Sequence, residues 1–168
     1  YKAETGNQNP EITISTNANY LDLVEYIQRE LGKTGLKVNV DVMPPSTIRQ
    51  QRSAGKLDVF RASWIADYPD AENYLSLFYS KNHSPNGPNY THYKNESFDL
   101  LFEKALITSK TEERIKMYSK LDSLVMSQAP IVPLYYDEVV RFTRKNISGM
   151  QINALNLLDL RTVRKTIK

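Results

Sequence analysis

The chain's only tryptophan and three of its acidic residues fall in one stretch, Ser63-Trp64-Ile65-Ala66-Asp67-Tyr68-Pro69-Asp70-Ala71-Glu72-Asn73-Tyr74. Carboxylates this close together can cap a helix, hold a cation, or act as an acid–base pair. Asp70 sits where a helix would begin and suits its N-cap, with a side-chain oxygen accepting from a first-turn N–H. Glu72 then falls in the first turn, where negative charge suits the helix dipole. Asp67 has no such duty, because it precedes Pro69 and lies outside the cap position. It reads either as a solvated turn aspartate or as a carboxylate for a cationic ligand group, with Trp64 as an apolar wall. In the second case, removing one partner of a buried pair would cost roughly 3–5 kcal/mol, because a charge is left unpaired. A hydrolase with Asp67 and Asp70 as acid and base is a further arrangement. It is poorly supported, since the chain offers no nucleophile elbow, no H-E-x-x-H and no phosphate loop. His83 and His92 stand in polar sequence without partners at metal-ligand spacing, so neither a metal site nor a cofactor is expected.

The elements that would position this stretch alternate strand and helix. Glu11 to Thr16 alternates polar and apolar residues and is rich in β-branched side chains, which predicts a strand. Asn17 or Asn19 caps a helix whose Tyr20, Val24, Ile27 and Leu31 recur at helical spacing, closed by Gly32 and Gly35. Leu36 to Val42 predicts a second strand, Pro44 to Gly55 a short helix, and Asp58 to Ser63 a third strand that Arg61 interrupts. Short βαβαβ connections imply parallel strands in an open α/β sheet, whose ligands gather at the carboxyl ends of strands. Trp64 follows the third strand directly.

Beyond it, Asp70 to Tyr79 reads as a helix, and Ser80 to Tyr93 as a loop with Pro85, Gly87 and Pro88. Phe98, Leu101, Phe102, Ala105 and Leu106 form one apolar helix face. Ser109 and Glu112 fit a capping box for a last helix, with Ile115, Tyr118, Leu121, Leu124 and Val125 facing inward. Pro130 ends it, and 131–136 and 138–143 read as extended.

Composition narrows the function classes. The 168 residues are 40% hydrophobic and 24% charged, which suits a globular domain with a core of its own. A net charge of +3 without a clustered basic stripe argues against nucleic-acid binding. The absence of cysteine removes thiol chemistry. No run reaches the roughly 18 apolar residues of a membrane span.

Three groups of residues together resemble the family 5 extracellular solute-binding proteins, the oligopeptide, dipeptide and nickel binders of ABC importers. The first is Gly55-Lys56-Leu57-Asp58 followed by Trp64-Ile65-Ala66-Asp67-Tyr68-Pro69-Asp70, similar to the family's G-x-x-D and W-x-x-D-Y-P-D-P, with Ala71 in place of its last proline. The second is the loop Pro85-Asn86-Gly87-Pro88-Asn89-Tyr90 leading to Tyr93-Lys94-Asn95 and Phe98-Asp99-Leu100-Leu101. The third is Ala129-Pro130-Ile131-Val132-Pro133-Leu134-Tyr135-Tyr136, similar to A-P-x-x-P-L-Y-Y.

The resemblance implies an α/β fold with an open mixed sheet flanked by helices, one lobe of a two-lobed binding protein and not an enzyme. It implies that Asp67 pairs with the α-ammonium of a short peptide, with Trp64, Asn89 and Tyr90 as further ligand contacts. The peptide backbone would be held by strand-like hydrogen bonds. Members that take nickel chelates or oligosaccharides need no such carboxylate. The implied partners are short peptides, an ABC-transporter permease and an N-terminal lobe of the same protein. The implied location is periplasmic, or extracytoplasmic with a lipoprotein anchor. Residues 1–137 would form the C-terminal ligand-binding lobe, and 138–168 the crossover and tail that return to the missing first lobe.

Overall fold

A computed structural model describes residues 2–153 and 157–166. Of the expected tail, 154–156, 167 and 168 therefore lie outside the described residues. The chain divides into two compact units. One comprises Tyr1–Ser63 with Ser76–Leu101, and the other Trp64–Leu75 with Phe102–Lys168.

The first unit is built on β1 (Glu11–Thr16), α1 (Leu21–Gly32), β2 (Lys37–Val42), α2 (Pro45–Ser53) and β3 (Val59–Phe60). The sheet order is β2-β1-β3, and all pairs are parallel. β1 runs in register with β2 from Glu11↔Lys37 to Thr16↔Val42, so Ile12, Ile14, Val38 and Val40 share the face that α1 covers. Val24 of α1 is buried with Ile14 and Val38, and Ile27, Leu31 and Leu36 pack around them. Gln28 crosses from α1 to donate to the Val38 carbonyl at 2.6 Å. Asn17 supplies the expected cap, accepting from the Asn19 N–H at 3.0 Å in a 3₁₀ turn that leads into α1.

β3 is shorter than the Asp58–Ser63 expectation. Only Ile14↔Val59 and Ser15↔Phe60 pair, with one further bond from Arg61 N–H to the Ser15 carbonyl at 3.0 Å. The Arg61 guanidinium stacks on the Tyr20 ring, its central carbon 3.3 Å from the centroid, so the side chain follows an aromatic neighbour instead of extending a strand face. The same unit holds a second cluster. Phe98 is fully buried and meets Phe78 and Tyr93 edge-on, with centroids 6.5 and 5.7 Å away.

The second unit contains α3 (Glu72–Leu75), continued by a 3₁₀ turn Ser76–Phe78 that already belongs to the first unit, and α5 (Thr111–Gln128). Between them in sequence, α4 (Glu96–Leu106) contributes Phe98 to the first unit and the buried Phe102 and Ala105 to the second. Three corrections to the sequence reading arise here. The Asp70–Tyr79 helix is α-helical only over Glu72–Leu75. The Ser109–Glu112 capping box does not form: Lys110 occupies the N-cap without a side-chain bond, so Glu112 falls one position short of N3. On α5, Tyr118, Leu121 and Val125 are buried as expected, whereas Ile115 is exposed.

After α5 the chain turns through Ala129 in the left-handed region, at φ 49°. Residues 131–144 then run without helix or strand, and Ile131, Val132, Leu134, Tyr135, Tyr136, Val139, Val140 and Phe142 are all exposed. A two-stranded antiparallel ribbon follows, β4 (Ile147–Ser148) against β5 (Arg164–Lys165). No helix among the described residues is long and apolar enough to cross a membrane.

Because Phe98 is fully buried against two rings, Phe98→Ala is expected to cost about 3–5 kcal/mol in urea denaturation. Ile107→Ala, at a position 85% exposed, should stay within about 0.5 kcal/mol.

Candidate functional site

In the second unit, the loop from Trp64 to Asn73 closes on itself. The Trp64 indole Nε1 donates to Asn73 Oδ1 at 2.7 Å, and Asn73 is only 3% exposed. Half-buried Trp64 is thereby fixed by its polar edge, which leaves its ring as a wall of set orientation.

Asp70 organises the rest of the loop. Its N–H donates to the Tyr68 carbonyl at 2.9 Å, and its own carbonyl accepts from Asn73 N–H at 3.1 Å. Oδ1 accepts from Glu72 N–H at 3.0 Å, which is the expected cap. Oδ2 lies 2.8 Å from Arg114 Nη2 on α5, a partly buried ion pair whose side chains are 25% and 35% exposed. Burial raises the Glu72 carboxyl above its usual range, and the Tyr68 hydroxyl donates to it. Tyr118, one helical turn beyond Arg114, is raised first by burial and then by the negative charge of Asp70, with Arg114 opposing.

Asp67 differs from both neighbouring acids. It is exposed in the bend 67–70, and its carboxylate carries no hydrogen bond or ion pair among the described residues. The chain thus presents one carboxylate outward on a loop whose Trp64, Tyr68, Asp70, Glu72 and Asn73 side chains are bonded.

The remaining two expected contacts, Asn89 and Tyr90, belong to the first unit. Asn89 is 0% exposed, which corrects its placement among groove residues. Its Nδ2 donates to the carbonyls of Tyr79 at 3.1 Å and Tyr93 at 2.9 Å. Its Oδ1 accepts from Thr91 Oγ1 at 3.1 Å and Tyr93 N–H at 3.2 Å. All four amide valences are used, so Asn89 holds its loop together and has nothing left to offer a ligand. Gly87 lets the loop fold this tightly, since a Cβ there would lie 2.5 Å from the Asn82 carbonyl oxygen. Tyr90 is half-buried with the Arg52 guanidinium 4.1 Å over its ring. His83 and His92 flank the loop with ring centroids 5.2 Å apart; His83 Nε2 donates to the Tyr93 carbonyl and His92 Nε2 meets Ser84 Oγ.

At the carboxyl ends of β1 and β2, a recess of about 350 Å³ opens between Asn17, Asn19, Val42, Met43, Pro44 and Pro45. This is the end of a parallel sheet where ligands collect. Sequence reasoning pointed instead to the end of the third strand, at Trp64. It also missed Arg114 and the Trp64–Asn73 bond: a partner 44 residues away leaves no local signal, and Asn73 read only as a helix position.

Residues 1–86 match the bacterial extracellular solute-binding proteins, family 5, middle part, and the chain belongs to that family. The periplasmic oligopeptide-binding protein OppA of Salmonella typhimurium strain LT2 is 30% identical over 68% of this chain and 20% of its own length. The dipeptide-binding protein DppE of Bacillus subtilis strain 168 is 25% identical over 95% of this chain and 29% of its own. Among solved structures, a dipeptide-binding protein from Pseudoalteromonas sp. SM9913 in complex with Met-Leu superposes with a TM-score of 0.80 at 26% identity. That match covers 98% of this chain and 34% of the other, so the chain spans about a third or less of the length of these relatives. The fold is that of a partial lobe of a periplasmic binding protein.

Truncating Asn89 would remove all four of its side-chain bonds from the loop interior. Asn89→Ala is expected to destabilise the chain by about 2–3 kcal/mol in denaturant titration, whether or not any ligand is present.

Proposed function

We propose that this chain is the C-terminal lobe of a two-lobed extracytoplasmic protein that captures short peptides for an ABC importer, with Asp67 receiving the peptide's α-ammonium. The observation that carries this reading is the Asp67 carboxylate, exposed and unpaired among the described residues on a loop whose Trp64, Asp70 and Asn73 side chains are bonded. The relatives named for oligopeptides and dipeptides support peptides as the ligand class. Trp64, fixed by its bond to Asn73, would wall the ligand backbone beside Asp67. A nickel chelate or an oligosaccharide needs no ammonium partner, so a free carboxylate at Asp67 favours a peptide within the family.

Closure of a first lobe supplies the energetics. Exposed as it is here, Asp67 would gain only about 0–1 kcal/mol from an ammonium, because water screens the pair. Under a closed lobe the same pair is desolvated, and losing one partner leaves a buried charge. The apolar stretch from Ile131 to Phe142 would be the return segment that packs against that first lobe. Docking to a membrane permease would follow closure.

Calorimetry on the complete two-lobed protein checks the ammonium pairing. Free peptides should bind, N-acetylated ones far more weakly, and Asp67→Asn should cost about 2–5 kcal/mol. Equal affinity for acetylated and free peptides would sink the assignment. The return segment is checked by hydrogen exchange: amides of 131–143 should be protected in the two-lobed protein and fast in the isolated chain. Equal exchange in both forms would remove that segment from the interface.

A further inference from the structure

The proposed ammonium site depends on where the backbone carries Asp67, because the Asp67 side chain has no bond of its own to hold it. The backbone just after it is organised chiefly around Asp70: Asp70 N–H to the Tyr68 carbonyl, Asp70 carbonyl to Asn73 N–H, and Oδ1 to Glu72 N–H, with the Trp64–Asn73 and Tyr68–Glu72 bonds beside them. Asp70 in turn is fastened to α5 by the ion pair of Oδ2 with Arg114 Nη2 at 2.8 Å, with a side-chain hydrogen bond from Tyr118 beside it. The guanidinium is steadied from its own helix, with its central carbon 5.7 Å from the Tyr118 ring, and Tyr118 is buried.

We infer that Arg114 is a positioning residue for ligand binding: by gripping Asp70 it fixes the bend that presents Asp67, and so sets how strongly the protein distinguishes a free amino terminus from a blocked one. The inference rests on the assignment of Asp67 made above. Its chemistry is that of a second layer. A charge–charge contact with one side chain fixes the orientation of another, and small misplacement of a charged ligand group is costly once the site is dry. Arg114 touches no ligand in this scheme; it acts through Asp70.

The readout is the ratio of dissociation constants for an N-acetylated and a free dipeptide, measured on the complete two-lobed protein. A variant that merely lowers stability weakens both peptides alike and leaves the ratio unchanged. Arg114→Met is expected to reduce the ratio about tenfold, while Arg114→Lys, which keeps the charge, should remain within about threefold of wild type. The double variant Arg114→Met/Asp67→Asn should show a ratio no smaller than Asp67→Asn alone, because one residue works through the other. If Arg114→Met does not fold, Asp70→Asn keeps the cap acceptor, removes the charge, and reads the same ratio. A folded Arg114→Met or Asp70→Asn protein with the wild-type ratio overturns the positioning role and leaves Asp67 in place. A wild-type ratio near one overturns the Asp67 assignment, and this inference with it.

Discussion

Two aspartates three residues apart share one loop, and the arginine on the neighbouring helix pairs with only one of them. Asp70 receives Arg114 and also caps α3, so its charge is balanced twice over. Asp67 receives neither. The asymmetry follows from geometry: Asp70 stands at the start of a helical turn whose N–H groups converge on it, and that same turn packs beside α5. A carboxylate left over in this way is stable only while water solvates it. Any closure that removes the water must bring a cation, or the folded protein carries an unpaired buried charge. Selectivity for a cationic ligand group can therefore arise from a missing contact as much as from a present one.

The first unit contributes rigidity by a different route. Its central strand is hydrogen-bonded on both sides, and Ser15 and Thr16 are buried where it meets its carboxyl end. Polar groups that deep are admissible because the parallel ladder satisfies the backbone around them. The sheet thus delivers small, well-anchored residues to the rim, and the recess beyond Val42 forms between two proline residues and two asparagines. A rim of this kind can accept apolar side chains of varied shape without a specific polar demand.

What could be read from the sequence depended on how local each cause is. β1, α1 and β2 were legible to within a residue or two, since period-2 and period-3.6 patterns sit inside single segments and a one-residue slip would expose a whole face. Asp70 as a cap was legible for the same reason. The Ser109–Glu112 cap was misplaced because α5 starts later than its motif suggests, and Lys110 instead pairs with Glu113 at 3.0 Å. Asn89 was misread because a loop asparagine looks alike in sequence whether it faces outward or inward. Only coordinates reveal that four partners surround it. Arg114 lay beyond any spacing rule, since a helix face chooses its contact with a distant loop through packing. For Asp67, composition alone leaves two readings, and the family resemblance implies the ligand role of the two.

The exposed apolar run after α5 is the least self-sufficient part of the chain. Tyr136 and Phe142 are 97% and 95% exposed, and burying such side chains is worth about 1.5–3 kcal/mol apiece. Consecutive large apolar groups of this stretch face solvent, and no strand ladder runs along it among the described residues. Both deficits are met at once if a sheet or helix of a first lobe lies along it, since strand-like pairing and side-chain burial would occur in the same step. The proposed hinge then has a physical basis. On the proposed reading, a segment packed between the lobes would tie them together through repeated opening, and Asp67 would exchange a hydrated state for a paired one at each closure.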